Sequence, residues 1–135
     1  MLQVAALHVQ GLDHIVLVVA DVERSLRWYQ KELGLQGVRI EEWRAGTAFF
    51  PSVRVNEGTI IDIIPDGGVA VSGRGNVDHF CLVVAPVDLE AVRDAGRFEV
   101  VDGPDKRYGA RGDGISLYVK DPDGNTVELR HYGEA

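Results

Sequence analysis

The sequence predicts an α+β fold built from two tandem β-α-β-β-β modules. Three observations predict it. Residues 12–19 read LDHIVLVV and residues 77–84 read VDHFCLVV, identical at five of eight positions. Each copy is followed by a helix-like stretch and then by three strand-like stretches. Each module also closes on a strand with one acid among aliphatic residues, TIIDIIP at 59–65 and NTVELRHY at 125–132. The copies are offset by 65 residues, from His14 to His79. Tandem supersecondary units usually bury one shared core, because neither covers its sheet alone.

Taken in order, Ile15–Ala20 is apolar on both faces and predicts a strand buried on both sides. Asp21 is a suitable N-cap for the helix that follows, in which Val22, Leu26, Tyr29 and Leu33 form one stripe and Gly34 supplies the stop. Three strands are expected next, at Val38–Trp43, Thr47–Val55 and Thr59–Ile64. Pro51 suggests that the second is an edge or carries a bulge. The segment DGGVAVSGRGN reads as a linker. The second module repeats the pattern: a strand at Asp78–Val84, a short helix from Asp88 to Ala95, a strand at Phe98–Asp102, and a glycine-rich, Arg-bearing loop at 102–114. Strands at Ile115–Lys120 and Thr126–Tyr132 flank the turn Asp121-Pro122-Asp123-Gly124. The modules therefore span 11–66 and 77–133, joined by 67–76 in a single domain, 1–135.

Composition narrows the class of function. The net charge of −7 repels phosphate backbones and argues against a nucleic-acid partner. The longest unbroken aliphatic run, IVLVVA, is far short of the ~20 residues that a membrane span needs. One cysteine, Cys81, precludes an intrachain disulfide, and MLQVAALHVQ has no basic signal-peptide start. The expectation is a cytoplasmic protein that takes a small-molecule substrate.

The polar residues of the repeat point to a site. Each module opens on a histidine, His14 or His79, and closes on an acid, Asp62 or Glu128, at nearly equal spacing. A carboxylate among apolar neighbours on a buried strand is costly unless something neutralises it. A divalent cation held by imidazoles and carboxylates would do so. Singly, each residue also fits a plainer role, as a hydrogen-bonded core histidine or a solvated strand-end acid.

LDHIVLVVADVERSLRWYQKELG, VDHFCLVV and ISLYVKDPDGNTVEL resemble the glyoxalase / bleomycin-resistance / extradiol-dioxygenase superfamily, the vicinal oxygen chelate proteins, across residues 11–132. YGARGDGISLYVKDPDGN is most similar to the superfamily's small glyoxalase-domain and virulence-type members. The resemblance implies that the paired modules form a cup-shaped, open mixed barrel around a metal site. By matching positions, His14, His79 and Glu128 fall on the metal ligands. Asp62 falls where glyoxalase I has a glutamate that ligates or acts as base, a departure from that pattern.

The implied cofactor is a divalent ion, Zn, Ni, Mn or Fe(II), and the implied reaction is of lyase or isomerase type on a substrate chelated through adjacent oxygens. Glu128 and Asp62 are the candidate proton-transfer groups. Arg107, Arg111, Tyr118 and Trp43 are candidate substrate contacts, each with a plain alternative as a solvated loop charge or packing residue. Three rival readings stand beside this one: an Fe(II) dioxygenase with a two-histidine, one-carboxylate site, a fosfomycin-type thiol or epoxide transferase using Arg107 and Arg111, and a metal-free drug-binding protein. A homodimer is expected, as in most relatives, with Thr47–Val55 as a pairing edge.

Overall fold

In the computed structural model the opening repeat is a strand, β1 (His14–Val19). Residues 8, 10–66, 77–109 and 111–133 are described, so the linker expected at 67–76 lies outside the described residues. The chain divides into two compact units, residues 1–70 and 71–135.

In the first unit Asp21 caps α1 (Val22–Lys31), its carboxylate accepting from the Arg24 N–H at 3.0 Å. This bond satisfies one of the donors that a helix start leaves free, and it places negative charge at the positive end of the helix dipole. Gly34 takes a φ of +69°, and the Leu35 N–H turns back to donate to the Tyr29 carbonyl at 3.2 Å, which closes the helix. Strands β2 (Gln36–Val38), β3 (Ser52–Asn56) and β4 (Thr59–Pro65) complete a sheet in the order β1-β4-β3-β2. The crossover through α1 makes β1 and β4 parallel, and the other pairs are antiparallel. Leu26 and Tyr29 of α1 are buried together with Val19, Val53, Ile61 and Ile63 of the sheet.

Three expectations for this unit need correction. The strand expected at Val38–Trp43 ends at Val38, and a short helix, α2 (Ile40–Arg44), follows. Arg39 turns into the left-handed region at φ +58° and breaks the extended chain. Glu41 and Glu42 then sit in the first turn and Arg44 in the last, matching the helix dipole. Arg44 also forks onto both carboxylate oxygens of Glu23, each at 2.8 Å, which ties α2 to α1.

Thr47–Val55 narrows to β3, which lies between β4 and β2 and so offers no free edge for pairing. Pro51 marks the start of that strand. Finally, β1 is not buried on both faces: Val16 and Val18 are 47% and 46% exposed on the face that carries His14.

The second unit contains β5 (Phe80–Val83), α3 (Leu89–Asp94), β6 (Glu99–Gly109), β7 (Gly112–Lys120) and β8 (Thr126–His131), with sheet order β5-β8-β7-β6. Its sheet repeats the first unit's pattern of one parallel pair and antiparallel neighbours. The loop expected at 102–114 is instead the far half of a long β6–β7 hairpin. Register shifts between Val100 and Asp105 take Pro104, which has no N–H to donate, out of the ladder, and pairing then resumes. The turn after β7 is held by Asp121, whose carboxylate accepts from the Asn125 backbone N–H and side-chain amide, both at 2.8 Å. Among the described residues no helix is long and apolar enough to cross a membrane.

Candidate functional site

Alternation along the strands gathers the polar residues of each unit on one face of its sheet. In the first unit Nε2 of His14 lies 4.0 Å from Oδ2 of Asp62. In the second, Nε2 of His79 lies 3.2 Å from Oε1 of Glu128. The four residues singled out in the sequence thus occur as two His–carboxylate pairs, one per unit. Among the described residues no group of three or more His, Cys, Asp or Glu side chains is assembled to hold a metal ion.

Both pairs are supported in the same way. Nδ1 of His14 lies 2.7 Å from the Asp13 carboxylate, and Nδ1 of His79 lies 2.7 Å from that of Asp78. Each aspartate accepts from the Nδ1–H of its histidine, which orients the ring and turns Nε2 toward the carboxylate of the pair. On the acid side, the Ser52 hydroxyl donates to Oδ1 of Asp62 and the Ser116 hydroxyl donates to Oε2 of Glu128, both at 2.6 Å. One oxygen of each carboxylate is therefore engaged and the other faces the histidine.

Asp13, Asp78, Ser52 and Ser116 were not singled out in the sequence. The two aspartates had a signal, since Asp-His is invariant between the repeats. The serines depend on cross-strand register and had none.

These donors fit a divalent cation. With metal–ligand bonds of ~2.0–2.2 Å, neighbouring donors on one ion stand ~3.0–3.5 Å apart. The His79–Glu128 pair already has that spacing, and the His14–Asp62 pair is slightly wider. Imidazole nitrogen with carboxylate oxygen suits Zn, Mn, Ni or Fe(II).

The acids differ in what surrounds them. Burial pushes the Glu128 carboxyl up, but the Ser116 hydroxyl and the Arg130 guanidinium outweigh it and hold the group below the usual carboxylate range. The Asp13 hydrogen bond raises His14 above its ordinary 6.5, with Asp62 adding to the effect against desolvation.

The substrate-contact candidates are divided. Tyr118 lies opposite Glu128 in the β7–β8 ladder, and its ring meets that of His79 edge-on at 5.5 Å. Burial and Glu128 raise its hydroxyl pKa. Arg107 pairs with Asp102 and Asp105 at 3.2 and 3.5 Å and also acts electrostatically on Tyr118. Arg111 instead stacks over the Tyr132 ring at 4.3 Å, and Trp43 lies on α2 in the other unit. Cys81 neighbours Glu128 in the ladder, and partial burial with that negative charge pushes its thiol up to about 11, so it offers no thiolate at neutral pH. A separate depression lined by Asp88, Lys106, Ile115 and His131 lies against the other face of this sheet and includes none of the four paired residues.

The family model described as Glyoxalase/Bleomycin resistance protein/Dioxygenase superfamily matches residues 11–129. The chain belongs to this superfamily. Virulence protein STM3117 of Salmonella typhimurium is 28% identical to this superfamily member over 128 residues, 92% of this chain and 85% of that protein. Lactoylglutathione lyase of the same species is 31% identical over 125 residues, 87% of this chain and 90% of that one. Among solved structures, an integron cassette protein from the mobile metagenome of V. cholerae matches with a TM-score of 0.74 at 27% identity, covering 96% of this chain and all of that one. The tandem β-α-β-β-β modules are those of the glyoxalase fold.

For this vicinal oxygen chelate protein the depressed Glu128 pKa makes a pH prediction. The unfolded chain binds a proton at Glu128 more readily than the folded one, so stability rises with pH through that range. The contribution is complete above about 4.5 and is lost as pH falls through the lower folded value. Metal-free wild type should lose melting temperature more steeply between pH 5 and 3 than Glu128→Gln does. Parallel acid profiles would contradict the shift.

Proposed function

We propose that this chain is a divalent-metal-dependent enzyme of lyase or isomerase type. Its substrate would be a small molecule chelated through adjacent oxygens, and His14, His79, Glu128 and Asp62 would hold the ion. The observation that carries the reading is the duplicated support. Each unit spends an aspartate on Nδ1 of its histidine and a serine on one oxygen of its acid, leaving one imidazole nitrogen and one carboxylate oxygen side by side. Residues kept only for packing have no need of that arrangement twice.

The bound ion would supply Lewis-acid stabilisation of negative charge developing on the substrate oxygens. The chain's own part is to orient the donors and to take a proton from carbon next to a carbonyl, with a carboxylate as acceptor. Asp62, held by Ser52 alone, suits that step better than Glu128, whose second oxygen takes the Arg130 guanidinium as well as Ser116. Tyr118 and Arg107 would meet the substrate beside His79. The raised His14 pKa means that protons compete with the ion there, so loading should weaken toward acid pH.

The test is uptake of Zn²⁺, Mn²⁺, Ni²⁺ and Fe²⁺ by chelator-stripped protein, read by elemental analysis. Wild type should bind stoichiometrically, and His14→Ala and His79→Ala should each lose at least 100-fold in affinity. Wild type that takes up none of the four ions would sink the enzyme reading and favour a metal-free binding protein. With the loaded protein, proton exchange at carbon without oxygen consumption separates the isomerase type from the dioxygenase type.

A further inference from the structure

The two pairs differ in how their acids are held. Asp62 accepts from Ser52, which lies directly opposite it in the β3–β4 ladder, and two residues further along its strand stands the aliphatic Ile64. Glu128 lies opposite Tyr118, and Ser116 lies two positions further along, opposite Arg130. The longer glutamate arm reaches diagonally to Ser116, and Arg130 occupies the place that Ile64 holds in the first unit. Oε2 of Glu128 thus receives three donors: Ser116 Oγ at 2.6 Å, Arg130 Nε at 3.2 Å and Arg130 Nη2 at 2.9 Å.

Arg130 is itself fixed in place. It is 3% exposed, and Nη2 also donates to the Tyr108 carbonyl at 3.1 Å, while Nη1 reaches the Gly112 carbonyl at 3.4 Å and the Tyr132 hydroxyl at 3.5 Å. A carboxylate oxygen has two lone pairs, so three donors saturate it. The other oxygen, Oε1, points at His79 Nε2.

We propose that Ser116 and Arg130 are positioning residues that clamp Glu128 so that it offers a cation one oxygen, Oε1, and never both. The inference rests on the metal-binding reading above. Its consequence is an open coordination position. A substrate that chelates through two oxygens needs two places on the ion, and a glutamate swinging to two-oxygen binding would fill one of them. The clamp prevents the swing by making it cost a buried arginine its partner. The Asp62 arm has a serine and an aliphatic neighbour at the corresponding places, so it remains free to adjust.

Co²⁺ is the probe, because its visible absorption reports coordination number and its affinity is measured in the same titration. Arg130→Lys keeps a charge but loses the fork, Arg130→Met loses both, and Ser116→Ala removes the hydroxyl donor. Melting curves establish which variants fold. The Arg130 variants should bind Co²⁺ about 10–100-fold more weakly, the usual effect of removing a group that orients a ligand. Their absorption per cobalt should also fall as Glu128 takes up two-oxygen binding.

In a Glu128→Gln background, Arg130→Met should cause no further loss of affinity, whereas an arginine with a purely structural role would lose the same amount again. Folded Arg130 variants with wild-type affinity and spectrum would overturn the clamp. If neither Arg130 variant folds, Ser116→Ala decides, and a wild-type spectrum there overturns it. Wild type that binds no Co²⁺ removes this inference together with the metal reading, while wild-type uptake with unaltered variants removes this inference only.

Discussion

Replacing Glu128 by alanine should destabilise the metal-free protein by about 3–5 kcal/mol, the cost of leaving a buried charge without its partner. Arg130 is 3% exposed and donates twice to one Glu128 oxygen, so Glu128→Ala strands a guanidinium that water reaches poorly. The Ser116 hydroxyl, on a fully buried residue, loses its acceptor in the same step. Glu128→Gln should cost less, because the amide oxygen still accepts from both.

The decisive comparison is Glu128→Leu with Arg130→Met in one chain. Removing both charges from a buried pair is often near neutral, so the double variant should recover most of what Glu128→Ala loses. Asp62→Ala, which deprives Ser52 of its acceptor, should cost about 1–3 kcal/mol. Urea unfolding in the presence of a chelator measures all four. A Glu128→Ala cost below that of Asp62→Ala would mean that solvent solvates Arg130 despite its burial.

That difference between the two acids also shows what could and could not be read in the sequence. The repeat was legible because its strands carry near-identical residues, and α1 was legible because a cap, an apolar stripe and a terminal glycine agree. The pairing of His14 with Asp62 and of His79 with Glu128 followed from the repeat's spacing. The second segment after α1 was not legible, because its strand-like composition at Val38–Trp43 hid the left-handed turn at Arg39. The β6–β7 hairpin was concealed by its glycines and Pro104, which mark a bulge here and not the end of a strand.

Ser52 and Ser116 act across strand pairs, and a single sequence contains no register. Arg130, by contrast, stands two residues beyond Glu128 on the same strand and the same face. The substitution of Asp in one copy by Glu in the other becomes intelligible only once the ladders are known. Asp62 has its serine directly opposite, whereas Glu128 must reach two positions further along and needs the extra methylene.

Leu117→Ala should cost about 2–5 kcal/mol, the range for truncating a buried aliphatic residue. The upper half is expected, for a reason specific to this strand. β7 is hydrogen-bonded on one side to β6 and on the other to β8, so its backbone cannot settle into the space vacated. Leu117 is fully buried opposite Leu129, and Val119 is fully buried opposite Val127, all on the face turned away from Ser116, Tyr118 and Glu128. Ile115 lies on that same face at the end of the β7–β8 ladder, opposite His131, and is 37% exposed, so Ile115→Ala should cost less than about 1.5 kcal/mol. Denaturant titration of the two variants measures the gradient from the middle of the β7–β8 ladder to its end.

Because alternation puts the core on one face and the site on the other, Leu117→Ala should keep wild-type affinity for a divalent cation at temperatures where it remains folded. A loss of more than a few-fold there would mean that core packing reaches through the strand to fix Ser116 and Tyr118. The two faces of β7 would then form one mechanical unit.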